Sequence, residues 1–297
     1  MGDDKRPGRV ALVVHPTRPL DETLETVTGW AERHDIGLVQ LVLEGTGDRR
    51  VAPPGTLEAG DLVVALGGDG TVLSALRATA ATGVPVLGVA CGSLGVLTAV
   101  SADELARDLE RMRTGDWTAR PLPLLAVSAP GCPDDWAIND FVVVRRGAGQ
   151  VIAELTVDDE RYIRLAGDGL VVATPAGSSG YSMAAGGPLL SAGSQAFVCT
   201  PVAMHGGCAP PLVVRADATL AVEIHPSYAG FDVEIDGHTR PCQALSYRLT
   251  MREEAVRLVT FSPSYQGLTR LRERGLVADS PRILARDRRD LVSQRDA

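Results

Sequence analysis

Residues 10–14, 38–43, 62–66 and 84–89 are short, nearly unbroken apolar runs, and between them apolar positions recur every three or four residues. Unbroken runs of this length predict strands covered on both faces, while the intervening spacing predicts helices. Asp21 is placed to cap a helix whose inner positions are Leu24, Val27, Trp30 or Ala31, and His34. A second helix is expected over 72–80, closed by Gly83 and Pro85, and a third over 102–113. Strands alternating with helices imply right-handed β-α-β units and a mostly parallel sheet.

Near Thr114-Gly115-Asp116-Trp117 the texture changes. Strand-like runs at 138–144, 151–157, 169–173, 212–214, 220–224, 233–235 and 256–261 are separated by Gly, Pro and Asp turns, the pattern of an antiparallel β-sandwich. Leu268, Leu271 and Val277 have helix-compatible spacing, and the Arg/Asp-rich end beyond Leu284 reads as a solvated face. The expected organisation is a disordered tail at 1–8, an α/β domain at 9–118 and a β-sandwich domain at 119–262. Residues 263–297 are expected to return to the α/β domain and to end in disorder.

Composition narrows the function. A chain of 297 residues buries two cores without staples, and its formal charge of −8 argues against broad binding to nucleic acid or an anionic membrane. No apolar run approaches a membrane span and the N-terminus has no leader-like apolar stretch, so the expected compartment is the cytoplasm. Five cysteines at 91, 132, 199, 208 and 242, with no C-x-x-C pair, are expected to be reduced thiols, and the five histidines show no metal-ligand spacing. Lys5, in the tail, is the only lysine, which excludes every mechanism that needs a buried one, a Walker A loop and a Schiff base included.

The sharpest chemical signal is Gly67-Gly68-Asp69-Gly70-Thr71, where a buried strand enters a glycine-rich turn and then a helix. Glycines let phosphate approach the backbone, and the helix start offers unpaired N–H groups. Asp69 would repel phosphate unless a divalent cation bridges them or the carboxylate is aimed at a hydroxyl, and both are phosphoryl-transfer roles; the plainer reading is a carboxylate that only supports the turn. A second cluster, Gly88 to Thr98, follows the next strand and could wall the same crevice. A third, Gly167-Asp168-Gly169 through Thr174, Gly177, Ser178, Ser179, Gly180, Tyr181 and Ser182 to Gly186-Gly187-Pro188, carries enough hydroxyls and glycines to line a nucleotide, with Tyr181 packing on a base or ribose.

In this order, with Ile138-Asn139-Asp140 between the second and third clusters, these motifs resemble the NAD kinase family, over most of the chain from His15-Pro16-Thr17-Arg18-Pro19 to about residue 265. The resemblance implies an N-terminal α/β domain, a C-terminal β-sandwich, and transfer of the ATP γ-phosphoryl group to the 2′-hydroxyl of the NAD adenosine ribose with Mg²⁺ or Mn²⁺. It implies that Asp69 is the catalytic carboxylate and that Gly68, Gly70 and Thr71 give access to phosphates. Asn139 and Asp140 would contact the nucleoside of NAD, Asp168 the nicotinamide end, and Ser179, Gly180, Tyr181, Ser182 and Ala184 the adenosine pocket. His238, after Asp236-Gly237, falls near a further contact position. Direct protein ligation of the metal is not expected beyond Asp69, and a homodimer or homotetramer is.

The sequence departs from the family pattern at acceptor-handling positions: Ala90 for a usual asparagine, Asp140 for a glutamate, Ala176, Ser179 and Gly180 for Thr, Thr and Ala, and Met204-His205-Gly206-Gly207 for Pro-His-Ser. These leave open a kinase acting on another nucleoside, sugar or polyol hydroxyl, and a non-catalytic NAD(P) sensor. A lipid kinase, which shares only the Gly-Gly-Asp-Gly turn, is the remoter alternative.

Overall fold

A computed structural model of the chain describes residues 7–43, 47–93, 95–225, 229–261 and 267–286. Residues 1–6 of the expected N-terminal tail and the chain beyond 286 lie outside the described residues, as does Leu94 of the second glycine cluster. The chain divides into two compact units, 1–263 and 264–297. The second contains the expected helix, α5 (Gly267–Glu273).

The first unit opens with β1 (Arg9–Val14), α1 (Asp21–Arg33), β2 (Gly37–Gln40), β3 (Leu62–Gly67), α2 (Asp69–Thr79) and β4 (Pro85–Ala90). All pairings among these strands are parallel, in the order β4-β3-β1-β2. The alternation of side chains along β1 explains why its run is unbroken. Val10, Leu12 and Val14 pack with Val27 and Trp30 of α1 on one face, and Ala11 and Val13 pack with Val72, Ala75 and Leu76 of α2 on the other. Asp21 is the first residue of α1, whose capping position is Leu20, without a side-chain cap; the expected aspartate cap is not formed.

After β5 (Val100–Ser101) and α3 (Leu105–Thr114) the chain becomes all β: β6 (Thr118–Ser128), β7 (Asp135–Ala137), β8 (Asp140–Arg145), β9 (Val151–Val157), β10 (Glu160–Gly167), β11 (Gly169–Ala173), the one-turn α4 (Tyr181–Ala184), then β12 (Ala196–Val202), β13 (Leu212–Arg215), β14 (Thr219–His225), β15 (Phe231–Ile235), β16 (His238–Thr239) and β17 (Ser246–Thr260). Strands β13-β12-β11-β8-β15-β16 form an antiparallel sheet, and its inner face packs on β9, β14, β6 and β17 around Phe141, Leu155, Leu170, Phe197 and Leu249. This is the expected sandwich. The apolar run at 256–261 proves to be the end of a 15-residue strand. Its Arg257 and Leu258 pair in parallel with Pro85 and Val86, while Ser246–Thr260 also pairs antiparallel with β14 and β6, so one sheet runs from the α/β half into the sandwich.

The cysteine expectation is corrected. Cys132, between β6 and β7, is disulfide-bonded to Cys242, just past β16, while Cys91, Cys199 and Cys208 are free thiols. The bonded pair is 110 residues apart, a separation that no spacing rule connects. Closing a loop of that length restricts the unfolded chain, so reduction or Cys132→Ser is expected to lower the unfolding free energy by about 2–4 kcal/mol, read as a drop in the denaturant midpoint with and without dithiothreitol.

Candidate functional site

The strand order places the site. From β1 the chain moves outward to β2 on one side, then returns to β3 on the other, so the order reverses between β1 and β3, with α1 and α2 on opposite faces. Open α/β sheets bind ligands in the crevice at such a point, beyond the carboxyl ends of the strands. There the loop after β1, His15 to Arg18, faces the turn Gly67-Gly68-Asp69 that joins β3 to α2. His15, Pro16 and Arg18 of the loop, Gly68 and Asp69 of the turn, and Gly70, Thr71, Ser74 and His238 line a cavity of about 300 Å³.

Asp69 is the first residue of α2 and half-buried. Its orientation is set from outside the helix. The Val96 N–H donates to Oδ2 at 3.0 Å and the Leu97 N–H to Oδ1 at 2.8 Å, both from the second glycine cluster. Gly95 is required for this approach, because a Cβ there would collide with the Asp69 carboxylate. Gly95 is also drawn in by its own N–H, which donates to the Thr98 hydroxyl at 2.7 Å. The second cluster is therefore a cradle for the carboxylate of the first.

His238 arrives from the sandwich half through a two-residue turn. Strands β15 and β16 pair Ile235 with His238, and the intervening Asp236 and Gly237 have φ of 52° and 78°. Positive φ at both central residues is the demand that Asp-Gly meets in a tight hairpin. The turn has a second product: Asp236, whose side chain is buried, accepts from the N–H groups of Ile138 (3.0 Å), Asn139 (2.7 Å) and Asp140 (3.2 Å) and pairs with Arg77 of α2 at 3.0 Å. Arg77 also meets Asp135 at 2.8 Å, and Arg240 meets the other Asp135 oxygen at 3.0 Å.

The third glycine cluster docks on the same end of the sandwich. The Thr174 N–H donates to the Asn139 carbonyl at 2.9 Å and its hydroxyl to that of Ile138 at 2.7 Å. A Cβ on Gly177 would collide with the Asn139 carbonyl, so glycine permits the contact. Within the segment, Ser178 is buried and accepts from the Leu190 N–H, and Ser182 is buried against the Thr200 hydroxyl at 2.8 Å. Ser179 is half-buried, while Gly180, Tyr181 and Ala184 are exposed.

Asp140 is the electrostatic outlier. Only 8% exposed, its carboxyl has no hydrogen-bond partner among the described residues, and burial, reinforced by Asp236 and Glu234, pushes its pKa up to about 7. His15 behaves oppositely. Burial, with Arg18 and Arg49 nearby, holds it below its ordinary value, and its Nδ1 accepts the N–H groups of Thr17 and Arg18 at 3.2 Å each.

The chain thus gathers Gly68, Asp69, Gly70, Thr71 and His238 around one cavity, and Asn139 and Asp140 around the Asp236 carboxylate, with Thr174 and Gly177 against Asn139 and Ser182 of the following segment packed on Thr200. Asp168 is not among them. It precedes Gly169 at the far end of β11, whereas Ala173 pairs with Asp140, a separation of about 15 Å at the rise of a strand. There it pairs with Arg145 at 2.6 Å and lies 3.6 Å from His205. Two residues to which the motifs assigned no role stand at this site: Asp236 as the acceptor for the N–H groups of 138–140 and Arg18 in the cavity lining. Asp236 is signalled in the sequence by the Asp-Gly hairpin dipeptide, and Arg18 by its place in the loop after β1.

Among the described residues no three His, Cys, Asp or Glu side chains assemble into a metal cage, and no helix is long and apolar enough to cross a membrane. What the arrangement offers is one oriented carboxylate beside a helix start, and a neighbouring polar face with a buried carboxyl suited to accept from hydroxyls.

Family models match both halves: the ATP-NAD kinase N-terminal domain at residues 48–117 and the ATP-NAD kinase C-terminal domain at 138–255. An NAD kinase of Porphyromonas gingivalis is 34% identical over 207 residues, covering 68% of this chain and 72% of the relative. An NAD kinase of Nitratidesulfovibrio vulgaris is 36% identical over 234 residues, 77% of each chain. In fold, the chain resembles yeast NADH kinase solved with NADH, at a TM-score of 0.77 and 20% identity, covering 90% of this chain and 88% of that one. It also resembles an Archaeoglobus fulgidus NAD kinase solved with ATP, at 0.72 and 24%, covering 91% and 100%. With its motifs in family order on the family's fold, and with relatives of this identity along most of its length, the chain belongs to the ATP-NAD kinase family.

Proposed function

We propose that this protein transfers the γ-phosphoryl group of ATP to the 2′-hydroxyl of the adenosine ribose of NAD, forming NADP, with Asp69 as the group that orients the hydroxyl and takes its proton. The observation that carries this reading is the position of Asp69 at the strand-order reversal, fixed by two backbone N–H groups, in a cavity to which the sandwich half contributes His238. An alcohol is a far weaker acid than a carboxylic acid, so Asp69 receives the proton late, as the new O–P bond forms and the leaving ADP oxygen takes the electron pair. Until then its work is alignment.

Gly68, Gly70 and Thr71, at the start of α2, are proposed to face phosphate. Asn139, Asp140 and the segment Ser179, Gly180, Tyr181, Ser182, Ala184 are proposed to hold the nucleoside parts of NAD. Magnesium, or manganese, fits as an ion carried on the donor's phosphates: Asp69 is the one carboxylate lining the cavity, and Mg²⁺ takes few protein ligands while keeping waters and phosphate oxygens. Bound there, it would neutralise charge on the transferring group. Asp168 joins the reading only across an interface, since it lies at the other end of β11. A homo-oligomer, in which one chain's Asp168 reaches its neighbour's nicotinamide end, accommodates it. A cytoplasmic location completes the proposal.

Purified protein with ATP, Mg²⁺ and NAD is expected to yield NADP. Product with another hydroxyl acceptor and none with NAD would move the substrate, and dinucleotide binding with no turnover would make the protein a sensor.

The Asp140 carboxyl supplies a pH signature. A carboxylate accepts from ribose hydroxyls on both oxygens, so KM for NAD is expected to fall as pH rises through about 7, and Asp140→Asn to remove that dependence. Stability should move the other way. A carboxyl whose folded pKa is raised loses its contribution as pH climbs from about 4 to about 7, so Asp140→Asn should melt higher than the parent at pH 8, by at most about 4 kcal/mol, with a smaller gain at pH 5. Melting curves at the two pH values check this.

A further inference from the structure

We propose that Arg18 is the phosphate-binding cation of this site, its guanidinium gripping the donor's phosphate chain. The proposal rests on the kinase reading above and assigns the charge that reading leaves unaccounted for. Moving a phosphoryl group needs positive charge, and the only lysine of the chain is Lys5, ahead of the described residues.

Among the residues lining the Asp69 cavity, Arg18 is the one arginine. It is half-buried, and among the described residues no carboxylate pairs with it, whereas Arg9, Arg77 and Arg145 each sit on an aspartate. A half-buried guanidinium that lines a cavity and has no carboxylate in ion-pair contact among the described residues has donors to spare for an anion, and its bidentate fork matches phosphate.

The surroundings hold this side chain in position. Its Nη1 donates to the Cys91 carbonyl at 2.7 Å, its backbone N–H donates to His15 Nδ1, and its carbonyl accepts from Arg49 Nη1 at 2.5 Å. Glycines flank the guanidinium. A Cβ on Gly92 would come within 2.7 Å of Nη1, and one on Gly68 within 3.6 Å of Nη2. The guanidinium therefore lies along the two glycine turns that follow β3 and β4, next to the first turn of α2. The neutral state favoured for His15, with Nδ1 occupied by N–H donors, leaves Nε2 as the protonated ring nitrogen, so this histidine adds a donor and no negative charge.

In the transfer, the acceptor oxygen forms a bond to Pγ as the Pγ–O bridge breaks. The bridging oxygen leaves with its electron pair, and the acceptor proton passes to Asp69. Arg18 would hold oxygens of the departing chain, whose negative charge grows as the bridge breaks. The same chemistry serves ATP or an inorganic polyphosphate.

The test uses inorganic tripolyphosphate with Mg²⁺, which has neither base nor ribose, titrated calorimetrically into the full-length protein and into Arg18→Ala and Arg18→Lys. Arg18→Ala is expected to weaken tripolyphosphate binding and to raise KM for ATP by about 10- to 100-fold while leaving the Kd for NAD within about twofold, with Arg18→Lys recovering part of the loss. Tripolyphosphate affinity unchanged in Arg18→Ala overturns the assignment, and so does an equal loss of NAD and tripolyphosphate affinity, which would mark Arg18 as a prop for the Cys91 turn. Both outcomes are measured by binding alone, so they hold whether or not the parent forms NADP; a parent that binds tripolyphosphate through Arg18 but makes no NADP fails the kinase reading and leaves the phosphate site intact. ATP and long-chain polyphosphate, compared as donors, distinguish the two sources of the phosphate chain.

Discussion

Asp69→Asn is expected to lower kcat for NADP formation by about 10³-fold while NAD still binds within a few-fold of the parent affinity. The asparagine retains the shape of the side chain and one acceptor oxygen, so either Val96 or Leu97 keeps its hydrogen bond. The other N–H then faces an amide NH₂, a mismatch that costs on the order of 1–2 kcal/mol of stability. The variant should remain folded at room temperature, which separates loss of chemistry from loss of structure. An amide has no basic oxygen for the acceptor proton, so the defect belongs in kcat. A kcat within tenfold of the parent would show that the carboxylate only shapes the turn, the plainer role open to any aspartate beside glycines.

Asp236→Ala is expected to be the most damaging single substitution in the sandwich half. It removes the acceptor for three backbone N–H groups at 138–140 and leaves Arg77 with Asp135 as its one charged partner, beside the Trp136 carbonyl. Deleting one partner of a buried ion pair costs about 3–5 kcal/mol, before the unsatisfied N–H groups are counted. For a unit of this size that corresponds to a fall in Tm of about 5–10 °C, measurable by calorimetry. Asp236→Asn should fall between the two, since an amide oxygen still serves some of the N–H groups. At temperatures where Asp236→Asn is folded, KM for NAD should rise more than kcat falls, because the strand start it releases carries Asn139 and Asp140, not Asp69. Equal melting of all three proteins would remove Asp236 from the architecture of the site.

The two variants also mark the limit of what the amino-acid order makes legible. The turn around Asp69 is legible because every element it needs is local: an apolar run for a strand, glycines for the approach, and helical spacing from Val72 onward. Asp236 is written as an Asp-Gly hairpin, yet nothing in the chain says that its carboxylate would reach back nearly a hundred residues to 138–140. The eleven-residue β6 is hidden for a related reason. Its Arg120, Pro121 and Pro123 break the apolar pattern, and it stands as a strand because β17 supplies partners from Thr118 to Ser128.

Local chemistry therefore fixed the elements whose signals lie within about a dozen residues: the alternating strands and helices of the first half, the short strands of the second, and the three glycine clusters. Tertiary structure decided what no local signal encodes. It joined the two halves through β17 and bonded Cys132 to Cys242. It set the Val96 and Leu97 N–H groups on Asp69, and it left Asp168 at the opposite end of its strand from Asp140. The physical reason is range. Side-chain periodicity and turn chemistry act over neighbours in sequence, whereas hydrogen bonds, burial and ion pairs act over a few ångströms in space, and only the folded chain determines which distant residues come that close.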